Sequence, residues 1–343
     1  GESVQHRTSV AEPSGPAGGP IHQLCWQSAN TGVRCCAMST LETVAASGAP
    51  AGTSPDHGPA TALGGARVAR DVPVPAGFDM RRHLSGIGSR MAGPANVILQ
   101  LSWPGVGYGV MNSRVHDGSA MLHPIKRART TFTYLAVSML GTEEDRTAFR
   151  KAVNGQHAKV VSTPDEPVQY RAMDPRLQLW GAACLYYGTV DMIEKMHGPL
   201  DEQTADALYA HCSRFGTSLQ VPAEMWPKDR AAFAEYWEEG LKEVHIDPDV
   251  RDFLLRLTTL QNFPRRMRRL APFNVFVTTG FLPQEFREQM GLPWNDEMQA
   301  RFDKLMRRLG RIERALPTQA RIFPFNVLLA NMRRRLRTGK ALV

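Results

Sequence analysis

His123-Pro124-Ile125-Lys126-Arg127-Ala128-Arg129-Thr130-Thr131-Phe132-Thr133-Tyr134-Leu135 opens the most informative stretch of this 343-residue chain. Within it and the residues that follow, Arg127, Thr131, Tyr134 and Ser138 recur at i, i+4, i+7 and i+11, one narrow stripe on a helix. Beside that stripe runs an apolar one, Ala128, Phe132, Leu135 and Met139. The pattern predicts a helix over 125–140. A polar row at the margin of a core-facing surface suits a pocket that holds something greasy with a charged edge.

The same reading extends outward. Thr142 is an N-cap signal, with Glu143 and Glu144 in the first turn where the helix dipole favours them. The helix it starts is expected to run to about Val161, with Phe149, Val153, His157 and Val160 on one face, so His157 points inward among apolar side chains. Asp174 caps a long helix with Pro175 at its first position, continuing through Met196 to Gly198. Asp201 opens another, to about Leu219. Earlier, an apolar helix spans Arg90–Leu101 and ends at Trp103-Pro104-Gly105. Later helices are expected over Lys228–Val244, Pro248–Leu260, Asp296–Leu309 and Phe323–Arg337. No period-two strand, hairpin dipeptide or internal repeat is visible. The fold class is therefore all-α, one large helical domain over 71–343.

Residues 1–70 are rich in Ala, Gly, Pro and Ser, and such a segment cannot bury enough surface to offset its ordering entropy, so disorder is expected. Met38-Ser39-Thr40-Leu41 reads like a native start, which would make 1–37 an extension. No uninterrupted apolar run reaches the ~18 residues of a spanning helix, and no secretory signal is recognisable. The cysteines form no CxxC pair and are odd in number: Cys25, Cys35 and Cys36 in the head, Cys184 and Cys212 in helical patterns. A reducing, cytoplasmic setting is the expectation.

The formal charge is +8. From Arg265 onward there are 17 basic and 6 acidic residues, so the whole excess is C-terminal. Neither aromatic interleaving nor a nucleic-acid reading module accompanies it, and no nucleic-acid partner is expected. A solvated helix face is the favoured reading. Weak attraction to anionic lipid, helped by Phe323, Phe325, Val327, Leu328 and Leu329, is a minor one.

Two glycine clusters, Gly86-Ile87-Gly88 with Gly93 and Gly105-Val106-Gly107-Tyr108-Gly109, lack a preceding strand and the GxGxxG spacing, and read as turn glycines. GxSxG, HExxH and GKS/T motifs are absent. Taken singly, His157 reads as a core histidine satisfied by a carbonyl; the alternative is a neutral imidazole giving its lone pair to iron, its other nitrogen held by an acceptor. Arg127 alone reads as a surface ion pair, and Thr131 as helix filler.

Resemblance changes the weighting. The run from His123 to Leu135, then Gly141-Thr142, then Gln156-His157-Ala158-Lys159-Val160, resembles the DUF2236 family of latex-clearing rubber oxygenases and fungal MpaB-type oxygenases. Trp103-Pro104-Gly105-Val106-Gly107-Tyr108-Gly109-Val110, Tyr170-Arg171-Ala172-Met173-Asp174-Pro175 with Leu179-Trp180, and Gly280-Phe281-Leu282-Pro283, Arg287, Gly291-Leu292-Pro293-Trp294 and Leu316-Pro317 add to it. The similarity spans about 85–330 in order.

The resemblance implies globin-like packing around a b-type haem, with His157 as the iron ligand and Arg127 and Thr131 beside the haem edge. Two departures stand out. Thr130 replaces a lysine that latex-clearing enzymes carry, and Met111-Asn112-Ser113-Arg114 offers no equivalent of their acidic base. Rubber cleavage is not expected. The leading expectation is a haem b-dependent oxygenase or related oxidoreductase. It would act on a lipophilic small molecule, an isoprenoid among the candidates, with dioxygen on the open iron face and the stripe of Phe132, Leu135 and Met139 walling the pocket. The rivals are a non-catalytic haem- or lipid-binding protein and a peripheral membrane protein working through the basic C-terminal helices.

Overall fold

Ser85 starts the helical body, its hydroxyl accepting the Gly88 N–H at 2.8 Å. Helix α1 (Gly86–Leu101) follows, four residues ahead of the expected start at Arg90. The computed structural model describes residues 71–115 and 118–343. The expected disorder of 1–70, the candidate start at Met38, the three head cysteines and His116 lie outside the described residues.

The glycine clusters are helical rather than turn residues. Gly86 and Gly88 sit in the first turn of α1, and Gly105, Gly107 and Gly109 in α2 (Pro104–Met111), a helix that periodicity did not reveal. Pro104 opens α2 because its fixed φ suits a first helical position. A Cβ at Gly86 would lie 1.7 Å from the Phe323 carbonyl oxygen. Close approach explains that glycine, not turn geometry.

Next come α3 (Pro124–Leu140) and α4 (Glu143–His157). Thr142 and Asp145 form a reciprocal capping box at the start of α4, which ends on His157 and not at Val161. The chain then turns through an isolated bridge between Val161 and Arg171, the only β-type pairing among the described residues. Helix α5 (Pro175–His197) is capped by Asp174 as expected. The single helix expected after Asp201 is broken at Ser213 into α6 (Glu202–Cys212) and α7 (Arg214–Thr217).

Helices α8 (Arg230–Leu241) and α9 (Pro248–Thr258) match expectation to within a few residues. Besides α2 and a short helix at Thr318–Arg321, three consecutive helices were not foreseen: α10 (Arg265–Arg268), α11 (Ala271–Phe281) and α12 (Gln284–Met290). α11 is apolar on nearly every side, so it carries no 3.6-residue rhythm to detect. The chain closes with α13 (Asp296–Arg314), α14 (Thr318–Arg321) and α15 (Phe325–Arg337). The all-α expectation agrees with the described residues, and none of their helices is long and apolar enough to cross a membrane.

α5 is the axis of this assembly. It packs against α1, α13 and α7, and is buried along nearly its whole length from Leu179 to Met196. Gly310 lets α13 cross it: a Cβ there would sit 1.8 Å from the Met196 carbonyl oxygen. On its other flank Trp180 stacks between Trp103 (4.7 Å) and Trp237 (5.1 Å), and Tyr187 extends the stack from Trp237 at 4.4 Å. Each such pair contributes about 0.5–1.5 kcal/mol beyond area burial. Both indoles nearest α1 are satisfied, Trp103 by Gly240 O at 2.9 Å and Trp180 by Leu99 O at 3.2 Å.

Much of the C-terminal charge is on solvated faces. α13 turns Phe302, Met306 and Gly310 inward and its arginines outward. α15 packs against α3, which commits Phe325 and Leu329 to the core and leaves Phe323 and Val327 exposed.

Candidate functional site

α2, α3, α4 and α5 enclose a cavity of about 320 Å³. Small residues on α5, Gly181 and Ala182, leave the space, and Val106, Val110, Leu135, Phe149, Val153 and Leu185 supply most of the apolar wall. Arg127, Thr131 and Tyr134 reach it from α3, and His157 from the last position of α4. The wheel reading holds for the face of Phe149, Val153, His157 and Val160, which all border the same void, and for part of α3.

The expected stripes are corrected in part. Ser138 is fully buried and does not border the cavity. Of the apolar stripe only Leu135 does; Phe132 packs on Phe325 at 5.8 Å, and Met139 is buried, its carbonyl meeting His211 Nε2 at 2.9 Å. The crossing of α15 over α3 takes that side of the helix. Periodicity shows that a face is covered but not by what.

His157 is half-buried, and its Nδ1 is enclosed with no hydrogen-bond partner. The carbonyl of an ordinary core histidine and the acceptor of a metal-bound one are both missing among the described residues. Burial, and then the positive charge of Arg127, push its pKa down to about 4. At neutral pH the ring is uncharged and keeps a lone pair. Such a group costs free energy unless something else uses it.

Arg127 is exposed and also joins the lining of the cavity. Protein packed around it lowers its pKa by desolvation. Among the described residues no carboxylate pairs with it, so the surface ion pair is not what this arginine makes. A cation at the edge of an apolar cavity favours an anionic group on whatever enters.

Several lining residues were not singled out from the sequence. Tyr134 was placed on the stripe, but its role came from outside: its hydroxyl donates to Phe215 O, and burial pushes the phenol up. Tyr170 borders the cavity and bonds through its hydroxyl to Glu166, which also accepts from Asn112 Nδ2 at 3.1 Å. Tyr170 lies in the Tyr170–Pro175 run, read only as a helix start. Thr130 and Lys126 join the wall as well. His123 occupies the N-cap position of α3 without a side-chain cap bond, is exposed, and lies outside the lining. His197 is engaged elsewhere, with Glu313 at 3.1 Å. Among the described residues no three His, Cys, Asp or Glu side chains converge.

An all-helical body with an apolar cavity, bordered by an imidazole and a guanidinium that have no hydrogen-bond or carboxylate partner among the described residues, suits the binding of a small molecule. The chain belongs to the family described as "ER-bound oxygenase mpaB/B'/Rubber oxygenase, catalytic domain", whose model matches residues 80–311. It is also 50% identical over 250 residues to an uncharacterized protein of Mycobacterium bovis and to one of Mycobacterium tuberculosis; the match covers 73% of this chain and 98% of each relative. No solved structure matches it.

Proposed function

We propose that the chain is a haem b-dependent oxygenase acting on a lipophilic small molecule. The observation that carries this reading is two groups on one cavity that have no partner among the described residues: the neutral imidazole of His157 and the guanidinium of Arg127. A haem could use both, a lone pair for its iron and a counter-charge for its propionates. The residues present therefore fit the group. When bound, it would supply the dioxygen chemistry.

His157, fixed at the end of α4, would supply the nitrogen that holds the iron. Arg127 would hold a propionate, and Thr131, one turn further along the same face of α3, would border the haem edge. Val106, Val110, Leu135 and Leu185 would exclude water and place an apolar substrate, an isoprenoid among the candidates. Tyr170, near the Glu166 carboxylate that raises its pKa after burial, adds to the cavity wall. Buried free thiols at Cys184 and Cys212 are compatible with a reducing, cytoplasmic setting.

Hemin titration of the purified protein tests the proposal. The wild type is expected to develop a Soret band at one equivalent and then to consume dioxygen with a lipophilic alkene. His157→Ala should lose the axial-ligand spectrum while keeping its fold. An unchanged spectrum in the variant would remove His157 as ligand. A wild type that stays colourless with hemin would remove the haem reading altogether.

A further inference from the structure

No acidic residue occurs between Asp252 and Glu285, whereas that interval holds five arginines. Four of them, Arg265, Arg266, Arg268 and Arg269, are exposed where α10 runs into α11, and none pairs with a carboxylate among the described residues. Interleaved with them, Met267, Leu270 and Phe273 recur every third residue and stand 38%, 57% and 52% exposed. The stripe continues inward as Phe276, which packs on Trp294 at 5.5 Å. A core stripe thus runs out of the protein and ends in water, among arginines.

The root of this knuckle is held. Asn262 Nδ2 donates to Ala120 O at 2.8 Å, Asn274 Nδ2 to Thr258 O at 2.7 Å, and Arg268 Nε to Phe263 O at 2.9 Å. The first of these bonds ties it to the 118–125 segment. Leu122 and Ile125 on that segment are each more than 60% exposed, and Gly118 borders the cavity.

We propose that Arg265–Phe273 is a docking surface for a bilayer bearing anionic phospholipid. Met267, Leu270 and Phe273 would enter the acyl boundary while the arginines bind the phosphates. The charge pattern selects the occupant: guanidinium groups with no carboxylate in the interval meet a negative surface without like-charge repulsion. The apolar stripe selects a bilayer over an acidic protein, because isolated bulky side chains ringed by cations gain from insertion into hydrocarbon. This proposal is independent of what the cavity holds.

Co-sedimentation of the full chain with vesicles tests it. Binding is expected to phosphatidylcholine vesicles containing phosphatidylglycerol, not to phosphatidylcholine alone, and to weaken with salt. Each arginine neutralised should weaken partitioning by about fivefold, so R265E/R266E should abolish it at 0.15 M salt. L270S/F273S should weaken it at least tenfold. Both pairs are exposed, so melting profiles should match the wild type. V327S on α15 is expected to bind as the wild type does. Failure to bind anionic vesicles, or equal binding by the arginine variant, would overturn the proposal. Loss with R265E/R266E but none with L270S/F273S would overturn it too, and would assign the face to an acidic protein.

Discussion

Arg333 of α15 donates to Asp145 of α4 through Nε at 3.0 Å and Nη2 at 2.7 Å, so the C-terminal helix grips the first turn of the helix that ends on His157. Asp145 also accepts the Thr142 N–H at 2.9 Å. One residue on, Arg146 is buried and pairs with Asp71 and Glu143. The start of α4 is thereby clamped from three directions, and a straight helix transmits that placement to its last residue.

Asp145→Asn should loosen this clamp. Burial alone would raise its carboxyl, but hydrogen bonds from Arg333 and Thr142 outweigh that and hold it below the usual aspartate range. A depressed carboxylate adds stability above its unfolded value, and the contribution is lost as pH falls through the lowered folded value. Acid unfolding of the wild type should therefore steepen below about pH 4. The variant should be about 1–2 kcal/mol less stable at pH 7 and lack that component. Denaturant titrations at pH 7 and pH 3 measure both.

Two histidines act in a higher window. Burial pushes His157 and His211 down to about 4. Between about pH 6.5 and that value the unfolded chain takes up protons that the folded protein refuses, so stability falls as the solution is acidified through the window. His211→Gln in the haem-free protein should flatten the dependence by one proton. Chemical denaturation at pH 7 and pH 5 reads the difference; parallel curves for variant and wild type would contradict the assignment.

Arg127→Ala should weaken hemin binding by about 1.5–3 kcal/mol, ten- to a hundredfold, through loss of a charge-assisted hydrogen bond. The apo-protein should be no less stable, because the guanidinium has no carboxylate partner among the described residues to abandon. Hemin titration and thermal melting of the same sample separate the two effects.

Trp180→Ala should cost about 3–5 kcal/mol. Trp180 is fully buried and joins Trp103 to Trp237. Gly310→Ala should cost at the upper end of about 1–3 kcal/mol, since the added methyl meets the Met196 backbone rather than a side chain that can turn away. Equilibrium unfolding in urea reports both.

The sequence by itself determined most of the amphipathic helices, the capped starts at Thr142, Asp174 and Asp201, and the faces that carry His157, Arg127 and Thr131. Those are local properties: caps act within one turn, and a 3.6-residue period assigns a side chain to a face before any partner exists. Tertiary structure decided which face meets which. It placed Ser138, Phe132 and Met139 away from the cavity, because α15 and other parts of the core cover that side of α3. It made α2 and α11 helical although neither has a readable rhythm, since a helix whose residues are apolar on nearly every side shows no 3.6-residue alternation. It also left the imidazole of His157 and the guanidinium of Arg127 on one cavity without a partner among the described residues. Hydrogen-bond satisfaction depends on residues distant in the chain, and no spacing within one helix encodes it.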